Sequence, residues 1–199
     1  REISFPYLLL LVSGGHTEFT IIKGFNSYKR IGTTIDDALG EAFDKTARLL
    51  KLGYPGGPEI EKYAALGDKE RFKLPLPLIK ENNSHFSFAG LKSSVANIVA
   101  QHRCTEKFKR DMAASFQETV NQIIFNKTQN AINEYRKLVK SKKDLKIVVA
   151  GGVAANKSIR QSLEELAKIE DCEFLFPSIK YCTDNGAMIA LAGIERFER

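Results

Sequence analysis

Cysteine is scarce, and its arrangement excludes two architectures. Cys104, Cys172 and Cys182 lie far apart with no C-x-x-C between them, so neither a disulfide framework nor a zinc ribbon is suggested, and a reducing compartment is the simplest setting. Long hydrophobic runs are also missing. The longest, Tyr7 to Val12, is far short of the roughly 20 residues that span a bilayer and short even for a signal-peptide core. Histidine occurs only as His16, His85 and His102, never three or four residues from another, so no self-contained zinc site is indicated. There is no G-x-S-x-G, no Walker A lysine motif and no H-E-x-x-H. Covalent serine chemistry, P-loop phosphate binding and zinc-peptidase chemistry therefore lack their residues. No repeat of fixed period and no low-complexity segment is visible.

What is present is globular. The 199 residues fit one large or two small domains, and the 43% hydrophobic and 27% charged content argues against wholesale disorder. Thirty Lys and Arg against 24 Asp and Glu give a net charge of +6, a mild basic excess that suits a nucleotide or RNA but also many basic enzymes that bind neither. The chain opens on Arg1 with an apolar strand close behind, and the expectation is a piece of a longer polypeptide.

Leu8 to Val12 reads as a buried strand closed by Ser13-Gly14-Gly15, followed by strands through Phe19-Ile22 and Tyr28-Thr33, which predicts an antiparallel meander. Asp36-Asp37 are expected to start a helix that Gly53 stops. Tyr54 to Pro58 reads as a rigid loop, Glu59 to Leu66 and Leu91 to Ala100 as helices, and Phe72 to Asn83 as irregular. Met112, Phe116, Val120, Ile123, Ile124, Ala131, Ile132, Tyr135 and Leu138 recur at spacings of three and four, so 111–138 is a long helix with one apolar face. Strands at 147–150 and 174–176 then alternate with helices capped by Asn156 and begun by Asp184. The predicted fold is α/β: a three-stranded meander plus βαβα units, with a mainly helical insertion at about 54–110, which is the pattern of the actin-like ATPase (ASKHA) domain.

Two strands end in a small residue plus Gly-Gly, at Ser13-Gly14-Gly15 and Ala150-Gly151-Gly152. Either is an ordinary tight turn or a place where backbone N–H groups turn toward an anion, and Ser13 and Thr17 add hydroxyls to the first. Asn156 is an N-cap or part of a helix terminus facing phosphate or adenosine. Glu41 and Asp44, three apart on one helical face, form a solvated surface or accept a ribose hydroxyl. Asp184 is a cap, a metal ligand, or both. Lys140, Lys142, Lys143 and Lys146, with Arg103, Lys107, Lys109 and Arg110, form either solvated surface or RNA contacts.

Seven motifs in order carry a resemblance. They are Leu11-Val12-Ser13-Gly14-Gly15-His16-Thr17, Asp36-Asp37-Ala38 through Gly40-Glu41-Ala42-Phe43-Asp44-Lys45, Tyr54-Pro55-Gly56-Gly57-Pro58, Ser87-Phe88-Ala89-Gly90-Leu91-Lys92, Ala113-Ala114-Ser115-Phe116-Gln117, Gly151-Gly152-Val153-Ala154-Ala155-Asn156 and Cys182-Thr183-Asp184-Asn185-Gly186. Together they closely resemble the TsaD family of tRNA threonylcarbamoyladenosine transferases, in its bacterial or mitochondrial branch. The resemblance implies transfer of a threonylcarbamoyl group from threonylcarbamoyl-AMP to the N6 amine of the adenosine 3′ of the anticodon, in tRNAs reading codons that begin with A. By the same match, the Ser13-Gly14-Gly15 turn binds the phosphate and carbamoyl end, with Leu11 and Val12 before it also in the substrate site, Asp44 and Gly57 contact the nucleotide, on its ribose side, and Asn156 contacts the adenosine.

Asp184 matches a ligand of one divalent metal, iron or zinc. The family's H-x-x-x-H ligand pair does not occur in this sequence, so residues 1–199 correspond to the C-terminal lobe of a two-lobed enzyme. That lobe is expected to be inactive without an N-terminal half. The resemblance implies tRNA and accessory subunits, or a homodimer, as partners. It implies no membrane, and a cytoplasmic location if bacterial or a mitochondrial one otherwise. The alternatives are a non-catalytic module binding an adenine nucleotide or a partner, and a sugar or acetate kinase of the same fold.

Overall fold

The computed structural model describes residues 3–139, 145–182 and 185–197. Five strands form one mixed sheet in the order β3-β2-β1-β4-β5. β1 (Tyr7–Val12), β2 (Thr17–Gly24) and β3 (Ser27–Thr33) form the antiparallel meander, while β4 (Leu145–Ala150) lies parallel to β1 and β5 (Cys172–Leu175) parallel to β4. Alternation sets the faces. Leu8, Leu10 and Val12 of β1 and Ile147 and Val149 of β4 are buried, and their neighbours are half-buried, as period-two geometry requires. Because β1 and β4 are parallel and in register, Leu11 opposite Ala150, their two Gly-Gly turns leave the same end of the sheet.

Four helices separate β3 from β4: α1 (Leu39–Leu49), α2 (Gly56–Ala64), α3 (Ala89–Gln101) and α4 (Glu106–Leu138). α5 (Lys157–Glu170) crosses from β4 to β5, and α6 (Gly186–Phe197) ends the description. The long helix starts five residues before the apolar periodicity does, because the Thr105 hydroxyl accepts the Phe108 N–H and fixes its first turn. No helix among the described residues is long and apolar enough to cross a membrane.

Two expectations need correction. Asp36 and Asp37 do not begin α1, whose first residue is Leu39. Asp36 reaches instead across the fold and accepts from Ser87 Oγ at 2.5 Å, Phe88 N at 2.7 Å and Ala89 N at 3.2 Å, so it caps α3 from a distant segment. Asp37 pairs with Lys45 Nζ at 2.8 Å. The orphan donors of α1 are met by Thr17 Oγ1, which accepts from Leu39 N at 2.8 Å, and by the Ser13 carbonyl, which accepts from Gly40 N at 3.0 Å. Tyr54 to Pro58 is likewise not all loop, since helix α2 begins at Gly56. Gly56 is there for space: a Cβ would sit 2.6 Å from Asp44 Cα and 2.8 Å from the Phe43 carbonyl oxygen.

α4 fastens the other elements to one another. Phe116 meets Phe43 of α1 edge-on, with centroids 5.3 Å apart. The Ser115 hydroxyl accepts the Phe72 N–H at 3.1 Å. Lys127, wholly buried, donates to the carbonyls of Leu78, Glu81 and Asn83 and so closes the irregular segment over the helix. Burial holds its ammonium below the usual lysine range.

Asp111 anchors the 68–72 turn, accepting from Asp68 N at 3.0 Å and pairing with Lys107 Nζ at 2.9 Å and Arg71 Nε at 3.5 Å. The Lys107 hydrogen bond, then the Asp68 N–H and the charges of Lys107 and Arg71, hold its carboxyl below the ordinary value of 3.8. A carboxyl depressed in the folded state stabilises above its unfolded pKa and loses that contribution as pH falls through the folded value. Asp111→Asn is therefore expected to lower stability at pH 7 by only about 1 kcal/mol, because Lys107 is exposed and water screens the pair. The gap from wild type should close below pH 3.8, as followed by thermal melts across pH 2–7.

Candidate functional site

A cleft of about 300 Å³ opens where the strand ends, the start of α2 and the start of α5 meet. It gathers Gly14, Asp44, Gly57 and Asn156, four of the expected site residues drawn from four separate motifs, and adds Gly40, Phe43, Pro55, Glu61, Val153, Ile179 and Cys182. The lining is mostly apolar with few polar groups, the usual make-up of a small-molecule site.

The first wall is Gly14 of the Ser13-Gly14-Gly15 turn; Ser13 and Gly15, also expected in the site, do not line the cleft. Ser13 Oγ accepts from His16 N at 3.0 Å and Gly15 N at 3.3 Å, so the hydroxyl shapes the turn from within. The turn rests on the first residues of α1: a Cβ on Gly40 would lie 2.7 Å from the Ser13 carbonyl oxygen and 2.8 Å from Gly14 N. Thr17 is buried beneath it and is occupied in capping α1, so it does not reach the cleft. Val12 is buried in the core and Leu11 is half-buried on β1, and neither lines the cleft.

The second wall comes from α1 and α2. Asp44 Oδ1 accepts from Gly56 N at 2.7 Å, which ties the two helices together at the cleft edge. Glu41, the other carboxylate of the expected pair, turns to Lys45 Nζ at 2.9 Å and does not line the cleft. The Lys45 hydrogen bond keeps its carboxyl below the usual range. At Gly57 an added Cβ would meet nothing within 4 Å, so this position borders open space.

The third wall is the Gly151-Gly152 turn, a 3₁₀ turn over Gly152–Ala155 and α5. Gly151 has φ +99° and ψ 170°, and a Cβ there would lie 2.2 Å from the Val12 carbonyl oxygen. The two glycine turns are thus packed against each other. Asn156 caps α5, its Oδ1 accepting from Ile159 N at 2.9 Å, while its Nδ2 donates to Gln117 Oε1 at 2.9 Å. The arrangement continues through Gln117 Nε2 to Asn121 Oδ1 at 3.0 Å and Asn121 Nδ2 to Ser158 Oγ at 2.8 Å. Glu61 Oε1 accepts the Lys157 N–H at 2.5 Å. The α5 terminus, expected to face phosphate or adenosine, already carries a carboxylate on its first N–H. A phosphate at that N–H would meet like charge.

No motif or spacing marks Glu61, Ile179 or Arg160, while Gln117 and Cys182 sit within motifs that give them no role. Arg160 carries no signal by type or spacing, because its partners on Pro177 and Cys182 lie beyond the end of its own helix. Cys172 is unsuited to nucleophilic work, since burial pushes its thiol up to about 11.

Asp184 and Lys140, Lys142 and Lys143 lie outside the described residues. Among the described residues no group of three or more His, Cys, Asp or Glu side chains could hold a metal ion. Those residues do not build a metal site by themselves. In the other basic cluster, Lys107 is paired with Asp111, and Lys109 with Glu106 at 2.7 Å.

The sequence profile of the TsaD family, described as tRNA N6-adenosine threonylcarbamoyltransferase, matches residues 1–191. A protein of that name from Pelagibacter ubique (strain HTCC1062) is 52% identical over 197 residues, covering 99% of this chain and 55% of its own length. One from Rickettsia massiliae (strain Mtu5) is 47% identical over 197 residues, covering 98% and 57%. One from Bartonella henselae (strain Houston 1) is 50% identical over 205 residues, covering 100% and 56%. The chain therefore spans a little over half the length of the curated relatives it matches. With nearly its whole length matched by the family profile and about half its residues shared with these relatives, the chain belongs to the TsaD family.

Proposed function

We propose that this chain forms the nucleotide-binding lobe of a tRNA N6-adenosine threonylcarbamoyltransferase. The observation that carries this reading is the cleft, in which Gly14, Asp44, Gly57 and Asn156 from four motifs border one space. The mixed sheet and its helices belong, in this reading, to an actin-like domain, the C-terminal lobe of a two-lobed enzyme with an insertion at about 54–110.

The adenylate half of threonylcarbamoyl-AMP lies against the apolar lining from Phe43, Pro55 and Val153. Its ribose is beside Asp44 and Gly57, and its phosphate at the Ser13–Gly15 turn. The tRNA adenosine N6 attacks the threonylcarbamoyl carbonyl carbon, the bond to the phosphate oxygen breaks, AMP leaves and the amine gives up a proton. Because AMP is a good leaving group, the chain's part is to hold the acyl donor still and to aim backbone donors at developing charge. Asp184 is assigned as one ligand of a divalent metal, iron or zinc. The remaining ligands come from outside these 199 residues, and no step is drawn through the ion. The partners are tRNA and accessory subunits, or a second copy of the enzyme. The compartment is the cytoplasm for a bacterial protein or the mitochondrion otherwise.

The test is nucleoside mass spectrometry on unmodified tRNA incubated with threonylcarbamoyl-AMP. It compares this chain alone with the chain joined to an N-terminal half of the relatives' type, each with and without accessory subunits. Product from the joined form alone is expected; product from the isolated chain overturns its assignment as one lobe. No product from any form supports a non-catalytic nucleotide-binding module. In the active form, Gly57→Val directs its side chain toward open space rather than protein atoms. It is expected to weaken AMP binding at least about tenfold with stability within about 1 kcal/mol of wild type. Unchanged AMP affinity would remove Gly57 from the site.

A further inference from the structure

Arg160 projects from the first turn of α5 and, among the described residues, makes four side-chain contacts, none of them with a carboxylate. Its Nε donates to the Ala154 carbonyl at 2.5 Å, and one terminal nitrogen donates to the Pro177 carbonyl at 3.1 Å and lies 3.6 Å from Cys182 Sγ. The guanidinium carbon sits 4.8 Å from the centre of the Phe176 ring. These partners belong to two stretches of chain. Ala154 lies in the 3₁₀ turn whose Val153 and Ala155 line the cleft, and Pro177 and Cys182 bound the segment whose Ile179 and Cys182 form the opposite side. The Cys182 Sγ–H points back to the Ser178 carbonyl at 3.8 Å, which closes the 178–182 turn on itself.

We infer that Arg160 is a positioning residue that sets the spacing of these two cleft walls, and through it the affinity for the adenylate. The inference rests on the nucleotide-cleft reading above. Arg160 itself does not line the cleft, so it acts through the residues it holds. The planar fork is what the site uses: one edge reaches the 3₁₀ turn, the other reaches the 177–182 segment, and the face covers Phe176. A lysine keeps the charge but can neither bridge both carbonyls nor stack in this way. Between Pro177 and Cys182 the residues Ser178 to Tyr181 are exposed, so the contacts of Arg160 at the two ends of this segment bear on where it sits.

Cys182 is a built-in reporter, because it is 4% exposed and sits on the wall in question. The experiment is site-resolved alkylation with iodoacetamide, read by mass spectrometry, together with AMP titration and melting temperature. It uses the intact protein and its Arg160→Lys, Arg160→Gln and Arg160→Ala variants. Both Lys and Gln variants are expected to label Cys182 about tenfold faster and to bind AMP about tenfold more weakly, with Cys104 and Cys172 labelling unchanged. Methylguanidinium added to the Ala variant should restore slow labelling. Wild-type labelling rates at Cys182 in both variants overturn the inference, as does equal acceleration at all three cysteines, which marks general loosening. Faster labelling with unchanged AMP affinity overturns the link from wall to ligand. Failure of the wild type to bind AMP overturns the nucleotide reading instead, and Cys182 labelling still decides the role of Arg160 in holding the wall.

Discussion

Gly151→Ala is expected to unfold or severely destabilise the protein, by at least about 3 kcal/mol, while Gly152→Ala next to it stays within about 1 kcal/mol of wild type. Two separate costs fall on position 151. Its φ of +99° with ψ of 170° lies in a region open essentially to glycine alone. The added Cβ would also lie 2.2 Å from the Val12 carbonyl oxygen and 2.7 Å from its carbon. Those are backbone atoms of the central strand, and β1 is held on both sides by β2 and β4, so it cannot move aside cheaply. At Gly152 the nearest atom to a Cβ is the Cys182 carbonyl oxygen at 3.8 Å, an ordinary contact. Denaturant unfolding of the two variants separates the explanations. A Gly151→Ala protein as stable as wild type would mean that the glycine turns are not packed as described.

Phe43→Ala is expected to cost about 3–5 kcal/mol and to abolish ligand binding in the cleft, with Phe43→Leu costing under about 1.5 kcal/mol. Phe43 is 1% exposed, lies edge-on to Phe116 and also lines the cleft. Truncation therefore removes transfer free energy, leaves a cavity between α1 and α4 and takes away part of the cleft wall. The Phe116→Ala variant and the double variant complete a cycle in which the ring pair should couple by about 0.5–1.5 kcal/mol. Additive losses in denaturant melts would show that the two rings do not depend on each other.

Local signals were strong where neighbours in sequence decide the outcome. The continuous apolar run Leu8–Val12 and the three-and-four spacing after Asp111 specify a strand and a helix through their own side chains, and Asn156 caps the helix that follows it, as its residue type predicts. Asp36 shows where such reasoning ends. An acid before an apolar periodic segment reads as the start of that helix, yet its carboxylate caps a helix about fifty residues later, because burial of Ser87 and Phe88 left those donors without water. Glu61 is similar: nothing in its spacing points to the Lys157 N–H that its carboxylate accepts.

The sequence by itself determined the family, the α/β alternation and the glycine turns at two strand ends, since each depends on residue identity at short or fixed spacing. Only the tertiary structure decided that β1 and β4 lie side by side, so that those turns meet, and which polar groups face the cleft rather than one another. Asn156, Thr17 and Glu41 had the right chemistry for a ligand, but each has partners within the chain. The physical reason is that a buried or half-buried donor or acceptor must be satisfied wherever it ends up. Which groups find partners depends on contacts between residues far apart in the chain, and spacing along the sequence does not record those contacts.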